Sequence, residues 1–99
     1  MIRRIVKMTF EVTACDDFLT MFESKKTAIR SFPGCEHLEL WRVTPNGNIF
    51  MTYSHWRSVE DLEAYRNSEL FKTTWAQTKT WFADRPKAWS LDLASKAEF

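Results

Sequence analysis

What most restricts the fold of this chain is the order in which its apolar periodicity changes. Over residues 2–12 it alternates, with Val6, Met8, Phe10 and Val12 on one side and Arg3, Lys7, Thr9 and Glu11 on the other, which predicts a first strand. Asp16 and Asp17 then stand where negative charge favours a helix N-terminus. Phe18, Met21, Phe22, Ile29 and Phe32 recur at helical spacing until Phe32-Pro33-Gly34 stops the pattern, predicting a helix over roughly 16–31. A second alternating run covers 36–44, with Leu38 and Leu40 facing one way and Trp41 and Val43 the other. Thr44-Pro45-Asn46-Gly47-Asn48 supplies hairpin chemistry, and a third strand follows over 49–56. Ser58 with Asp61 opens another helix, which Asn67-Ser68-Glu69 breaks and restarts. Phe71, Trp75, Thr78 and Phe82 then form one stripe, Pro86 closes it, and Trp89, Leu91 and Leu93 alternate in a last strand. The order is β-α-β-β-α-β with a split second helix: an α+β, ferredoxin-like plait of one antiparallel sheet with two helices on one face. Residues 94–99 read as a tail or an arm.

At 99 residues the chain has room for one domain, 1–99, and a domain so small needs an aromatic-rich core or a partner that covers further surface. Five Trp and eight Phe against a net charge of +1 describe a globular chain and exclude disorder. Both glycines, Gly34 and Gly47, fall in turns, so no glycine-rich phosphate loop is available. Cys15 and Cys35 are too few for a disulfide scaffold or a four-ligand zinc site, which points to reduced thiols and a cytoplasmic location. Lys7 interrupts the only leader-like stretch, and no apolar run is long enough to cross a membrane, so no membrane partner is expected.

The second and third strands carry large apolar groups on both faces: Leu38 and Leu40 against Trp41 and Val43, and Ile49, Met51 and Tyr53 against Phe50 and Trp56. A sheet with one wet face alternates more cleanly. The second helix adds a flank of Leu70, Thr74, Gln77 and Trp81 beside its main stripe. Apolar patches of this kind mark interfaces, and a homodimer pairing sheet with sheet accounts for both.

Two segments, Ser31-Phe32-Pro33-Gly34-Cys35 and the run from Ser54-His55-Trp56-Arg57-Ser58 through Asn67-Ser68-Glu69-Leu70-Phe71, resemble the antibiotic biosynthesis monooxygenase family. The shared features are a Pro-Gly after helix one, a Trp ending strand three, a Ser-x-Glu helix start and a Ser-x-x-Phe restart. The resemblance implies a dimeric α/β barrel with a pocket between each sheet and its helices. It also implies activities that include cofactor-free oxygenation of quinol-type aromatics, haem degradation and isomerisation. The haem-degrading pattern needs an Asn, a Trp and an axial His where this chain has Val6, Tyr65 and Trp75. An indole offers iron no lone pair, so haem degradation is not expected.

Cofactor-free oxygenation asks for a dry aromatic pocket, a base or polar group that stabilises the substrate anion, and donors that orient it. His55 is the candidate base, because its ordinary pKa lies near neutrality, and Tyr65 the candidate hydrogen-bond donor. A histidine bonded to backbone is the plainer alternative for His55, and a solvated strand-end residue for His37. Val6, Phe71, Trp75 and Phe82 are the expected substrate-binding wall, with plain core packing as the competing role. The acids at the helix starts, Asp16, Asp17, Glu60, Asp61 and Glu63, are explained by capping and the helix dipole. No Gly-x-Ser-x-Gly motif and no metal-ligand spacing occurs, so neither a metal nor another cofactor is expected. Strand three lacks the Lys/Arg-Gly-aromatic signature of RNA-recognition domains, so nucleic acid is not an expected partner. The expectation is a cofactor-independent monooxygenase acting on a small aromatic or quinol-type molecule. The alternative is a non-catalytic homodimer of the same fold that binds a small molecule.

Overall fold

The computed structural model describes residues 1–98. Its elements run β1 (Ile2–Thr9), α1 (Cys15–Arg30), β2 (Cys35–Arg42), β3 (Ile49–Trp56), α2 (Val59–Arg66), α3 (Glu69–Thr78) and β4 (Lys87–Leu91), with short 3₁₀ turns at Val12–Ala14 and Lys79–Trp81. The four strands form one sheet in the order β2-β3-β1-β4, every neighbouring pair antiparallel. This is the α+β plait that the periodicities predict, with the second helix split as expected. Both halves of that helix are capped as their sequences require: Ser58 Oγ accepts from the Asp61 amide, and Ser68 Oγ from the Phe71 amide, each at 3.1 Å.

Three of the four strands end earlier than the sequence reading puts them, the second at Arg42 rather than 44. The first strand ends at Thr9, because Phe10 turns into a single bridge with Phe82 and the chain then enters the 3₁₀ turn, leaving Val12 exposed. In the β2–β3 connection it is Asn46 that takes positive φ (47°), while Gly47 brings its backbone against Val43 so closely that a Cβ would lie 2.6 Å from the Val43 carbonyl oxygen. The last strand stops before Leu93, and residues 92–98 form no regular element. Of the expected tail, residue 99 lies outside the described residues.

Alternation sorts the sheet into two chemically different faces. The helix-covered face presents Val6 and Met8 from β1, Leu38 and Leu40 from β2, and Phe50 and Trp56 from β3. The core there divides into a cluster around Phe10, Phe18 and Phe50 and a second around Trp56, Cys35 and Leu62. Trp81, expected on an exposed apolar flank, instead packs against the first cluster, since the 3₁₀ turn after α3 swings it inward. The opposite face carries no element among the described residues. It presents Trp41, Trp89 and Leu91, exposed at 61%, 46% and 37%, so the two-sided apolar pattern of the strands is reproduced in space.

Candidate functional site

Between the covered face of the sheet and the helices lies a cavity of about 300 Å³, at the seam of the two core clusters. Small-molecule pockets begin at about this size. One wall is a series of aromatic rings contributed by the end of β3 and both halves of the split helix, and the series continues behind the wall to the turn beyond α3. Trp56 stacks on Tyr65 with centroids 4.8 Å apart, Tyr65 meets Phe71 edge-on at 5.3 Å, Phe71 stacks on Trp75 at 5.8 Å, and Trp75 meets Phe82 at 5.5 Å. The break at Asn67-Ser68 makes this possible, because it redirects the helix so that Tyr65 and Phe71 stand against each other rather than around one cylinder.

Of the residues singled out from sequence, Val6, Tyr65, Phe71 and Trp75 line this cavity. Phe82 packs on the first core cluster and on Phe10 rather than lining the space. His55 is not brought to it. Odd-numbered positions of β3 point away from the helices, so His55 stands across the sheet from Tyr65, and the expectation that the two face one cavity is corrected by the pleat. There it sits beside His37 (ring centroids 4.8 Å), edge-on to Tyr53 (4.9 Å), and accepts a hydrogen bond from Arg3 Nε at 3.4 Å. His37 in turn contacts Glu39 at 3.1 Å. Burial, then the neighbouring Arg3 and His37 charges, hold the His55 pKa below its ordinary value.

Inside the cavity the electrostatics are different. Burial, with a smaller contribution from Cys35, pushes the Tyr65 phenol far above its usual range, so it remains a neutral donor at physiological pH. Arg4 and Arg66 also line the space. Arg4 shares the covered face with Val6 and Met8, in a cross-sheet row that reads Leu38, Ser54, Arg4, Ser90. Burial lowers the Arg4 pKa, Arg66 lowers it further, and Glu63 opposes the shift. Sequence reasoning missed Arg4 although the signal was present, since it has the same parity as Val6 and Met8. Thr74, taken from sequence as part of an apolar flank, lies in the cavity wall with its hydroxyl buried and unpartnered. Helical spacing alone does not distinguish such a threonine from one that bonds back to its own helix. Among the described residues no group of three or more His, Cys, Asp or Glu side chains is placed to hold a metal ion. No helix among them is long and apolar enough to cross a membrane.

Comparison with known proteins places this geometry. The family model for antibiotic biosynthesis monooxygenase matches residues 1–77. Among solved structures, one described as an antibiotic biosynthesis monooxygenase superposes with a TM-score of 0.89 at 16% identity, covering 96% of this chain and 100% of its own. A protein of Mycobacterium tuberculosis superposes with a TM-score of 0.86 at 18% identity, covering 98% of each chain. A conserved protein of Methanosarcina mazei Go1 superposes with a TM-score of 0.85 at 16% identity, over 91% of this chain and 89% of its own. No curated protein matches the chain. At these identities the structural likeness speaks for the fold.

Proposed function

Because the chain belongs to the antibiotic biosynthesis monooxygenase family, we propose that it is a cofactor-independent monooxygenase that oxidises a small aromatic, quinol-type substrate in the cavity beneath its sheet. The observation that carries this is the combination of an aromatic wall, a neutral buried phenol and two guanidinium groups around one cavity. An electron-rich substrate anion reduces O₂ directly, so the protein's part is to favour the anion, orient it and exclude water. Arg4 and Arg66 favour ionisation of the substrate, and the Tyr65 phenol donates a hydrogen bond to the resulting oxyanion. For an anthrone-type methylene the reaction balances without a further reductant. The CH₂ carbon loses four electrons and becomes a carbonyl, one oxygen atom enters that carbonyl, and the other leaves as water with both protons. His55, with the sheet between it and the cavity, is given no part as base.

A homodimer belongs to this proposal. Trp41, Trp89 and Leu91 leave the uncovered face too apolar for a free surface, and a second copy laid on it buries them. The catalytic reading is tested by oxygen uptake with chelator-treated, flavin-free protein across a panel of anthrone- and naphthol-like compounds. Uptake faster than in buffer is expected for at least one. Tyr65→Phe should lower its rate roughly 10-fold, the size expected for one hydrogen bond to a charged group, and His55→Ala should leave it within about twofold. If no compound reacts faster with protein than without it, the chain is a non-catalytic small-molecule-binding protein of the same fold.

A further inference from the structure

One polar group of the cavity lacks the partner that its surroundings demand. Arg4 lies on the covered face of the sheet, where burial already disfavours its charge, and no carboxylate among the described residues lies within ion-pairing distance of it. Among the described residues its one side-chain hydrogen bond is to Ser90 Oγ at 3.5 Å. The carboxylate whose charge acts on it, Glu63, is engaged by Arg66 at 3.2 Å. A half-buried cation beside an empty space, with a second cation close by, is an arrangement that a bound anion completes.

We propose that the cavity is selective for a bicyclic aromatic acid, whose carboxylate pairs with Arg4. The size follows from the volume: a cavity of about 150 Å³ takes up one benzene ring, and this one has about 300 Å³. The flat shape follows from the near-parallel rings of Phe71 and Trp75 in the wall. The inference rests on the cavity being the substrate site, but not on turnover.

Equilibrium titration, followed by tryptophan fluorescence and by calorimetry at pH 7.5, tests it with two probes: 2-naphthoate and its methyl ester. The acid is expected to bind at least ~10-fold more tightly than the ester, in line with a charge-assisted contact in a partly dry site. Arg4→Gln should erase that preference and Arg4→Lys should retain part of it. The wild-type comparison of acid with ester needs no variant to fold. Equal or tighter binding of the ester, binding of neither probe, or an acid preference that survives Arg4→Gln would overturn the proposal. Oxygen uptake on neutral quinols without any acid preference would leave the enzymatic reading standing and remove this one. Acid-selective binding without oxygen uptake would do the reverse.

Discussion

His55 shows how a single position changes meaning between sequence and structure. By type it is the natural base, but its place on the outward side of β3, beside His37 and Arg3, makes it a residue that the fold holds neutral. The unfolded chain takes up a proton near pH 6.5, while the folded protein does so only at lower pH. Below about 6.5 the unfolded state therefore binds more protons, and the stabilisation present above that pH is lost as pH falls towards the folded value. Thermal melts of the wild type should show Tm dropping between pH 7.5 and 5.5, and His55→Gln should flatten that drop. The Glu39 carboxyl, held below its ordinary pKa chiefly by the Trp41 indole N–H at 3.0 Å, loses stability in the same direction but in the carboxylate range below about pH 4.5. The window above pH 5.5 therefore excludes the carboxylate, and the comparison with His55→Gln reads the His55 part of the drop. An unchanged slope in His55→Gln would show that the His55 environment is not what the geometry implies.

Among the elements, the connections govern where the cavity walls stand. Gly34 follows α1 with φ of +88°, and a Cβ there would lie 2.4 Å from the Cβ of Asp61 in α2, so two separate reasons demand glycine. Its carbonyl also accepts from the Arg57 amide at 2.8 Å, which ties the entry of β2 to the exit of β3. Gly34→Ala should therefore cost more than the ~1 kcal/mol of an ordinary unfavourable glycine replacement, lowering Tm by upwards of about 4 °C in a domain of this size. The caps predict smaller effects. Ser58→Ala and Ser68→Ala should each cost about 1 kcal/mol in urea melts. Ser68→Ala should also loosen the Tyr65–Phe71 contact, because Ser68 donates to Tyr65 O at 2.6 Å while capping α3. Equal stability of Ser68→Ala and wild type would mean that the split helix is set by packing rather than by its cap.

At the scale of the whole molecule, the protein presents an asymmetric sheet, covered and hollow on one side, bare and carrying exposed tryptophans on the other. Trp89 lies in the bare face in a cross-sheet row with Ile5, Tyr53 and Glu39. Light scattering at micromolar concentration should report about twice 11.8 kDa, and Trp89→Asp should shift the protein to a monomer, since pairing would then desolvate a carboxylate. A wild-type monomer would remove the sheet-to-sheet dimer. The element order, the split helix and its two serine caps, and the two-sided apolar strands were all legible in the chain by itself, because periodicity, capping and turn chemistry act over a few neighbouring residues. What lies in the cavity was not. Whether a strand residue such as Arg4 or His55 faces helices or the bare side depends on which face the helices cover, and whether the Thr74 hydroxyl finds a partner depends on packing between α3 and the sheet. Those are relations between residues far apart in sequence, and only the tertiary structure decided them.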